Sequence, residues 1–163
     1  MYTLILLGLV ELGGCVEDLK PSKNATNNES ACIFEGLNLK KPSFVKISNE
    51  IIAQKWDLVA YCDLEKCQFE KAPDSASFVR LSLDKDTNIT GNSTNNSLYG
   101  NYILNNDFNF NFRIGGSKVG GETNWVWKVR SINFSDSFKV QIKNSLMILY
   151  YNDEKNAILF RKI

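Results

Sequence analysis

The stretch FNFNFRI (Phe108–Ile114) places phenylalanine at every second position and separates these residues with asparagine. Strict alternation of apolar and polar residues is typical of a β-strand with one buried and one exposed face. The run LYGNYIL (Leu98–Leu104) precedes it, and only Asn105–Asp107 lie between the two. Together the two runs predict a pair of antiparallel strands joined by a tight turn.

Further β-rich runs lie on both sides of this pair. Upstream, WDLVAY (Trp56–Tyr61) and FVRLSL (Phe78–Leu83) alternate in the same way, and the first run places Trp56, Leu58 and Ala60 on one predicted face. Downstream, three more runs follow, namely SFKVQI, SLMILYY and AILFRKI (137–142, 145–151 and 157–163). Short connections between neighbouring runs predict an antiparallel meander.

One segment departs from the β pattern. The stretch GGETNWVWKVRSINF (120–134) begins with a Thr-Asn capping pair and spaces Trp125, Val129 and Ile132 as one face of a helix. A strand that alternates Trp125, Trp127 and Val129 is the alternative. The predicted fold class is therefore mainly β (α+β), an antiparallel meander or partly open barrel-like sheet with one short helix packed against it.

The N-terminal residues indicate where in the cell the protein is located. The apolar run that ends at Gly14 is too short to span a bilayer but suits a secretion signal. The sequence LGGC (Leu12–Cys15) resembles the lipobox of bacterial lipoproteins. It predicts a signal peptide over residues 1–14 and lipidation of Cys15. Glu11 within the run and the lack of an early Lys or Arg depart from that pattern, so an apolar strand with an incidental cysteine is the alternative.

The residues after Cys15 are polar. Val16–Lys41 is rich in Asn, Ser, Lys and Glu, which predicts a flexible tether over residues 15–45 and a folded β-domain over 46–163. The pair Glu17-Asp18 resembles the sorting signals of some Bacteroidetes surface lipoproteins. We therefore expect a lipid-anchored protein of the outer membrane that faces the periplasm or the cell surface.

Composition excludes several classes of function. The 163 residues carry 19 Lys and Arg against 18 Asp and Glu, and a net charge of +1 gives no field that would attract nucleic acid. The chain has no histidine, which removes the commonest general base and metal ligand. We expect no nucleic-acid partner, no cofactor and no metal site.

With Cys15 lipidated, an odd number of cysteines remains for pairing. Four residues separate Cys62 from Cys67, a spacing that can close a short hairpin if the strand ends face each other. The spacing thus predicts a Cys62–Cys67 disulfide. Cys32 is then either a leftover thiol or the true partner of one of these two cysteines.

Several short motifs follow one another in a fixed order. They are Trp56 on an early strand, Gly91, Asn92, Gly100 and Tyr102 in a hairpin, the turn GGSKVGG (115–121), a helix, and the closing run SLMILYYNDEKNAILFRK (145–162). This order, across about Glu50–Ile163, resembles the META/HslJ-like domain. The resemblance implies a compact β-structure covered by a helix, on secreted or lipid-anchored bacterial proteins. The chain lacks that family's usual Cys-Asn dipeptide, and with it a family disulfide.

Aromatic residues on the predicted strands and helix are candidates for a ligand site. Phe108, Phe110, Phe112 and Trp125 would line a cavity of about 300 Å³ or more if the barrel held a small molecule. Filling of the core is the simpler role for these side chains. In addition, Asp74-Ser75-Ala76 resembles an O-glycosylation motif of Bacteroidetes secreted proteins, which makes Ser75 a candidate sugar acceptor.

These features favour a non-enzymatic, membrane-anchored envelope lipoprotein that binds an unknown protein or envelope component. The alternative is a lipocalin-like carrier of a small hydrophobic ligand. An enzyme would need convergent carboxylates, for which Asp57, Asp63 and Glu65 are the candidates. Nothing in their spacing brings them together, so we expect no enzymatic activity.

Overall fold

The computed structural model describes residues 31–105, 108–132 and 137–163. These ranges contain eleven strands and two short helices. The strands are β1 (Ile33–Phe34), β2 (Leu37–Asn38), β3 (Lys55–Asp63), β4 (Gln68–Lys71), β5 (Val79–Leu83), β6 (Asn88–Ser93), β7 (Ser97–Leu104), β8 (Asn109–Gly116), β9 (Phe138–Lys143), β10 (Leu146–Tyr151) and β11 (Asn156–Lys162). The helices are α1 (Asn49–Ile52) and α2 (Asn124–Ile132).

Eight strands form a closed antiparallel ring in the order β3, β5, β6, β7, β8, β9, β10 and β11. The ring closes because β3 pairs with β11 along one edge, while its other edge pairs first with β5 and then with β4. Between β8 and β9 only two residue pairs connect the strands, Asn109 with Lys139 and Phe110 with Phe138. The ring is therefore partly open between β8 and β9, and the predicted mainly β, partly open barrel-like sheet is confirmed.

A β-bulge in β3 changes which residues face the barrel interior. Phe160 pairs with Leu58 and Leu159 pairs with Ala60, so Val59 is an extra residue on β3. Trp56 and Leu58 pack in the interior cluster, whereas Ala60 packs in a second cluster outside the barrel. The prediction that Ala60 shares a face with Trp56 and Leu58 was wrong, because an extra residue reverses the alternation.

The segment predicted as a helix forms α2. The hydroxyl of Thr123 accepts a hydrogen bond from the backbone N–H of Val126 at 3.4 Å, as expected near a helix start. Trp125, Val126 and Val129 are buried in the interior cluster. A four-residue helix, α1, adds Ile52 to the same cluster; it was not predicted.

Residues 31–45 form a layer on the outside of the barrel. Cys32, Phe34, Leu37 and Leu39 are buried against the outer faces of β3, β10 and β11. The predicted tether over 15–45 was therefore wrong from residue 31 onward, because four side chains of this polar stretch are buried against the sheet and one of them, Cys32, is bonded to Cys67. The predicted signal peptide, Cys15 and the first half of the tether lie outside the described residues.

Within residues 31–105, 108–132 and 137–163, no helix is both long and apolar enough to cross a bilayer.

Candidate functional site

An open cleft of about 550 Å³ lies between the β3–β4 hairpin, α2 and the turn that joins β10 to β11. Nine residues line it: Tyr61, Cys62, Asp63, Gln68, Phe69, Glu70, Lys128, Tyr151 and Asn156. Aromatic rings, amides, carboxylates and one amine thus converge from five elements. Such a mixture can offer both apolar contact and hydrogen bonds to a bound group.

Tyr61 forms the rigid base of the cleft. Its hydroxyl donates a hydrogen bond of 3.0 Å to the carbonyl oxygen of Trp125, and the two rings meet edge to face at 5.5 Å. Burial raises the pKa of Tyr61 well above its usual value, so the phenol stays protonated. Tyr61 therefore acts as a fixed support for α2.

Glu70 and α2 form one wall of the cleft. The indole N–H of Trp125 donates a 3.1 Å hydrogen bond to the carbonyl oxygen of Glu70, on edge strand β4. The carboxylate of Glu70 pairs with Lys128, whose ammonium lies 4.7 Å from the centre of the Tyr61 ring. Both charged side chains of this pair are about half exposed, so the ion pair contributes little free energy. Either side chain can therefore leave its partner and bind a charged group of a ligand.

Three of the four predicted cavity-lining residues fill the barrel interior. Phe110 packs against Tyr102 and Phe112 at 5.5 and 5.6 Å, and Phe112 packs against Phe138 at 5.0 Å. Phe110, Phe112 and Trp125 are only 2%, 3% and 4% exposed. All three side chains belong to the interior core cluster, so these residues serve as packing.

Phe108 lies apart from the other three candidates. Its φ of +55° interrupts the strand, and β8 begins only at Asn109. The ring of Phe108 stacks on Phe44 at 5.0 Å, and Phe44 packs against the outer cluster. The prediction that Phe108 shares a lining with Phe110 and Phe112 was wrong, because the left-handed residue ends the alternation.

The disulfide joins Cys32 to Cys67, with a Cα–Cα distance of 5.2 Å, and leaves Cys62 as a buried free thiol. The predicted Cys62–Cys67 pair was wrong, and the alternative that Cys32 partners one of the two is confirmed. The reason is the hairpin register, in which Cys62 lies opposite Phe69 and not opposite Cys67. Cross-strand disulfides require residues that face each other.

The three candidate carboxylates have separate environments. Asp57 accepts two hydrogen bonds from the guanidinium of Arg80, at 2.7 and 2.8 Å. Asp63 accepts a hydrogen bond from the backbone N–H of Lys66, which lowers the pKa of that carboxyl. Glu65 pairs with a lysine at 3.7 Å. Asp57 and Asp63 lie six positions apart on one strand, roughly 20 Å, and Asp63 and Glu65 face different lysines, Lys66 and Lys155. The three groups therefore do not converge.

Ser75 is exposed in the connection between β4 and β5. The carboxylate of Asp74 accepts hydrogen bonds from the backbone N–H groups of Ala76 and Ser77, at 3.0 and 2.7 Å, and so holds the turn. That Ser75 accepts a sugar stays a prediction.

The closed ring, the covering helix and the packed interior define the class of this protein as a small antiparallel β-barrel with a filled core. No family model and no curated protein matches the chain. The fold is similar to the NMR structure of a protein from Burkholderia xenovorans, with a TM-score of 0.56 and 20% identity over 76% of this chain and 92% of that one.

It is also similar to the crystal structure of a DUF4847 family protein from Bacteroides vulgatus. The TM-score is 0.51 and the identity 16%, over 69% of this chain and 95% of that one. Likeness at such low identity shows the fold alone.

Most residues of the cleft were not identified from the sequence. The sequence indicates Asp63 as a candidate catalytic carboxylate and Cys62 as half of a disulfide, but Glu70, Lys128 and Asn156 belong to no motif. Glu70, Lys128 and Asn156 lie on β4, α2 and β11, which are distant in sequence, so these residues meet only in the folded protein. Local spacing therefore contains no signal that could have found them.

Proposed function

We propose that the chain is a non-enzymatic, lipid-anchored lipoprotein of the cell envelope, which binds a protein or another envelope component in the cleft beside Tyr61. The observation that carries the proposal is the contrast between a packed barrel interior and an open cleft of about 550 Å³. A packed interior leaves the surface as the place for recognition. The META/HslJ-like assignment belongs to the same proposal and rests on the order of the sequence motifs.

The position of the disulfide supports a cleft that is held near the membrane. Cys32 is bonded to Cys67, and the next residue, Gln68, lines the cleft. The described part of the chain thus begins near the cleft. Sixteen residues lead from Cys15 to residue 31, and a chain of that length spans at most about 55 Å. Residue 31 would therefore lie within that distance of the lipid anchor, and the cleft lies beyond it, next to the disulfide.

The chemistry of the cleft favours a polar partner segment. Glu70 and Lys128 can each pair with an opposite charge, and Gln68 and Asn156 bring amide groups. The outer edge of β4 adds backbone groups next to these side chains, since β4 is the last strand on its side of the sheet. Partner peptides can bind such an edge as an added strand.

Site-specific photo-crosslinking in intact cells tests where binding occurs. A photoreactive residue at Gln68 should give a covalent adduct of defined mass, and the same residue at Tyr99 is the matched control. Tyr99 is 61% exposed on β7, which is three strands away from β3 in the ring. Equal labelling from both positions, or no adduct from Gln68, would contradict the proposal.

Cell fractionation tests the anchor independently. The Cys15→Ser variant should move from the membrane to the soluble fraction, and its thermal unfolding should stay unchanged because residue 15 lies in the predicted tether. Intact mass spectrometry of the wild-type protein should show a mature chain that begins at acylated Cys15. A wild-type chain that still carries Met1 would overturn the anchor.

A further inference from the structure

Three sulfur atoms form a cluster beneath the N-terminal segment. Cys32 and Cys67 share a disulfide, and the thiol sulfur of Cys62 lies 3.8 Å from the sulfur of Cys32. This distance is van der Waals contact, so nothing separates the free thiol from the bonded sulfur. Cys32 and Cys62 are buried, with 0% and 2% of their surfaces exposed, whereas Cys67 is half-buried in the turn before β4.

We propose that these three residues form a thiol–disulfide exchange site, in which Cys62 is the internal nucleophile and Cys67 becomes a surface thiol open to modification. The Cys62 thiolate forms a bond to the Cys32 sulfur, and the Cys32–Cys67 bond breaks. The electron pair leaves on Cys67, which takes up a proton in place of the one that Cys62 releases to solvent. No oxidant or reductant is needed, because one disulfide replaces another.

The exchange moves the disulfide of Cys32 from Cys67, next to the cleft, to Cys62, which lines the cleft. In both forms Cys32 remains bonded to the β3–β4 hairpin, so the N-terminal segment stays attached. Cys67 is released in the second form, and it directly precedes Gln68 on the cleft rim. The inference stands on the sulfur geometry and does not depend on the proposed function.

The environment of Cys62 sets how fast the exchange can run. Burial raises the pKa of the Cys62 thiol to about 11, the Asp63 carboxylate adds to that effect, and Lys40 opposes it. The Tyr150 phenol also faces Cys62, from β10. Only the thiolate attacks, and below this pKa its fraction rises about tenfold with each pH unit. The exchange should therefore be slow at neutral pH and accelerate with alkali.

Thiol trapping tests the exchange on the full chain. The Cys15→Ser variant retains only the three clustered cysteines of the four in the sequence. It is incubated with excess N-ethylmaleimide at pH 7, 8 and 9, without added thiol, and digested with trypsin under non-reducing conditions. Cleavage after Lys66 separates Cys62 from Cys67, so mass spectrometry assigns each label.

The expected product carries the label on Cys67 and a Cys32–Cys62 disulfide, and forms about tenfold faster per pH unit after correction for the reagent's own hydrolysis. A label on Cys62 with the Cys32–Cys67 disulfide intact would overturn the proposal, and so would the absence of any label. Adding Cys62→Ser should abolish labelling of Cys67, because the nucleophile is gone.

A second variant tests the geometry without kinetics. In Cys15→Ser/Cys67→Ser, mild oxidation should join Cys32 to Cys62 within one chain, since their sulfurs already touch. Two free thiols after this treatment in a folded chain would overturn the proposal. Circular dichroism confirms the fold, and the matched control is Cys15→Ser/Cys62→Ser, which should retain the Cys32–Cys67 bond.

Discussion

The hydroxyl of Tyr61 donates a hydrogen bond to the backbone carbonyl of Trp125, at 3.0 Å and across 64 positions of sequence. This bond connects α2 to β3 at the base of the cleft. The bond is buried, so its loss would leave the Trp125 carbonyl without this donor in a place from which water is excluded. The Tyr61 phenol is thus one of the groups that hold the helix at the wall of the cleft, together with the bond from the Trp125 indole to Glu70.

Tyr61→Phe should lower the free energy of unfolding by about 1–2 kcal/mol, because it removes the donor and keeps the ring packing. Urea denaturation followed by tryptophan fluorescence measures the change. Tyr99→Phe is the matched control, since Tyr99 is 61% exposed and should stay within about 0.5 kcal/mol of the wild type. Equal effects of the two variants would contradict the support role of Tyr61.

Gly100→Ala should destabilise the barrel by about 3 kcal/mol or prevent folding. A Cβ at Gly100 would lie 1.8 Å from the carbonyl oxygen of Arg113, and backbone atoms cannot move away without breaking the pairing of β7 with β8. Thermal unfolding followed by circular dichroism measures the loss. Gly120→Ala is the control, because no heavy atom lies within 4 Å of a Cβ there. A stable Gly100→Ala barrel would contradict the close approach of these strands.

Acid should weaken the fold partly through Asp84. Its carboxylate accepts hydrogen bonds from the side chain and the backbone of Asn88, at 3.0 and 2.8 Å, and these bonds lower the pKa of Asp84. Because the folded pKa lies below the unfolded one, this stabilisation is present above about pH 4 and is lost as the pH falls through the folded pKa.

Asp84→Asn should therefore flatten the fall of unfolding free energy between pH 5 and pH 2. Denaturation at a series of pH values measures the slope. Asp86→Asn removes one charge from the same turn and serves as the control. If Asp84→Asn and the wild type lose stability in parallel, the bonds from Asn88 do not contribute to the acid response.

Cys32→Ala should lower the free energy of unfolding by about 3–4 kcal/mol, since the disulfide closes a loop between residues 35 positions apart. Urea denaturation measures this loss, and hydrogen exchange of residues 31–45 should increase. Cys62→Ala keeps the disulfide and should cost about 1 kcal/mol. Unchanged hydrogen exchange in Cys32→Ala would mean that apolar packing alone holds the N-terminal segment.

The amino-acid sequence determined the elements of this fold wherever the pattern is local. Alternation predicted β5, β7 and β8, and the capping threonine with its spaced apolar residues predicted α2. These features depend on residues within a few positions of one another. The residues on one face of a strand or helix recur at a fixed spacing, so the sequence pattern of apolar residues shows which element is formed.

Tertiary structure alone decided the reversal of faces in β3, the disulfide and the cleft. Val59 forms a bulge because β11 pairs on both sides of it, and Cys67 meets Cys32 because the N-terminal segment packs on the outer face of the sheet. Glu70 meets Lys128 across 58 positions. Each of these relationships depends on contacts between distant segments, which form only when the ring closes. A pattern of neighbouring residues therefore cannot predict them.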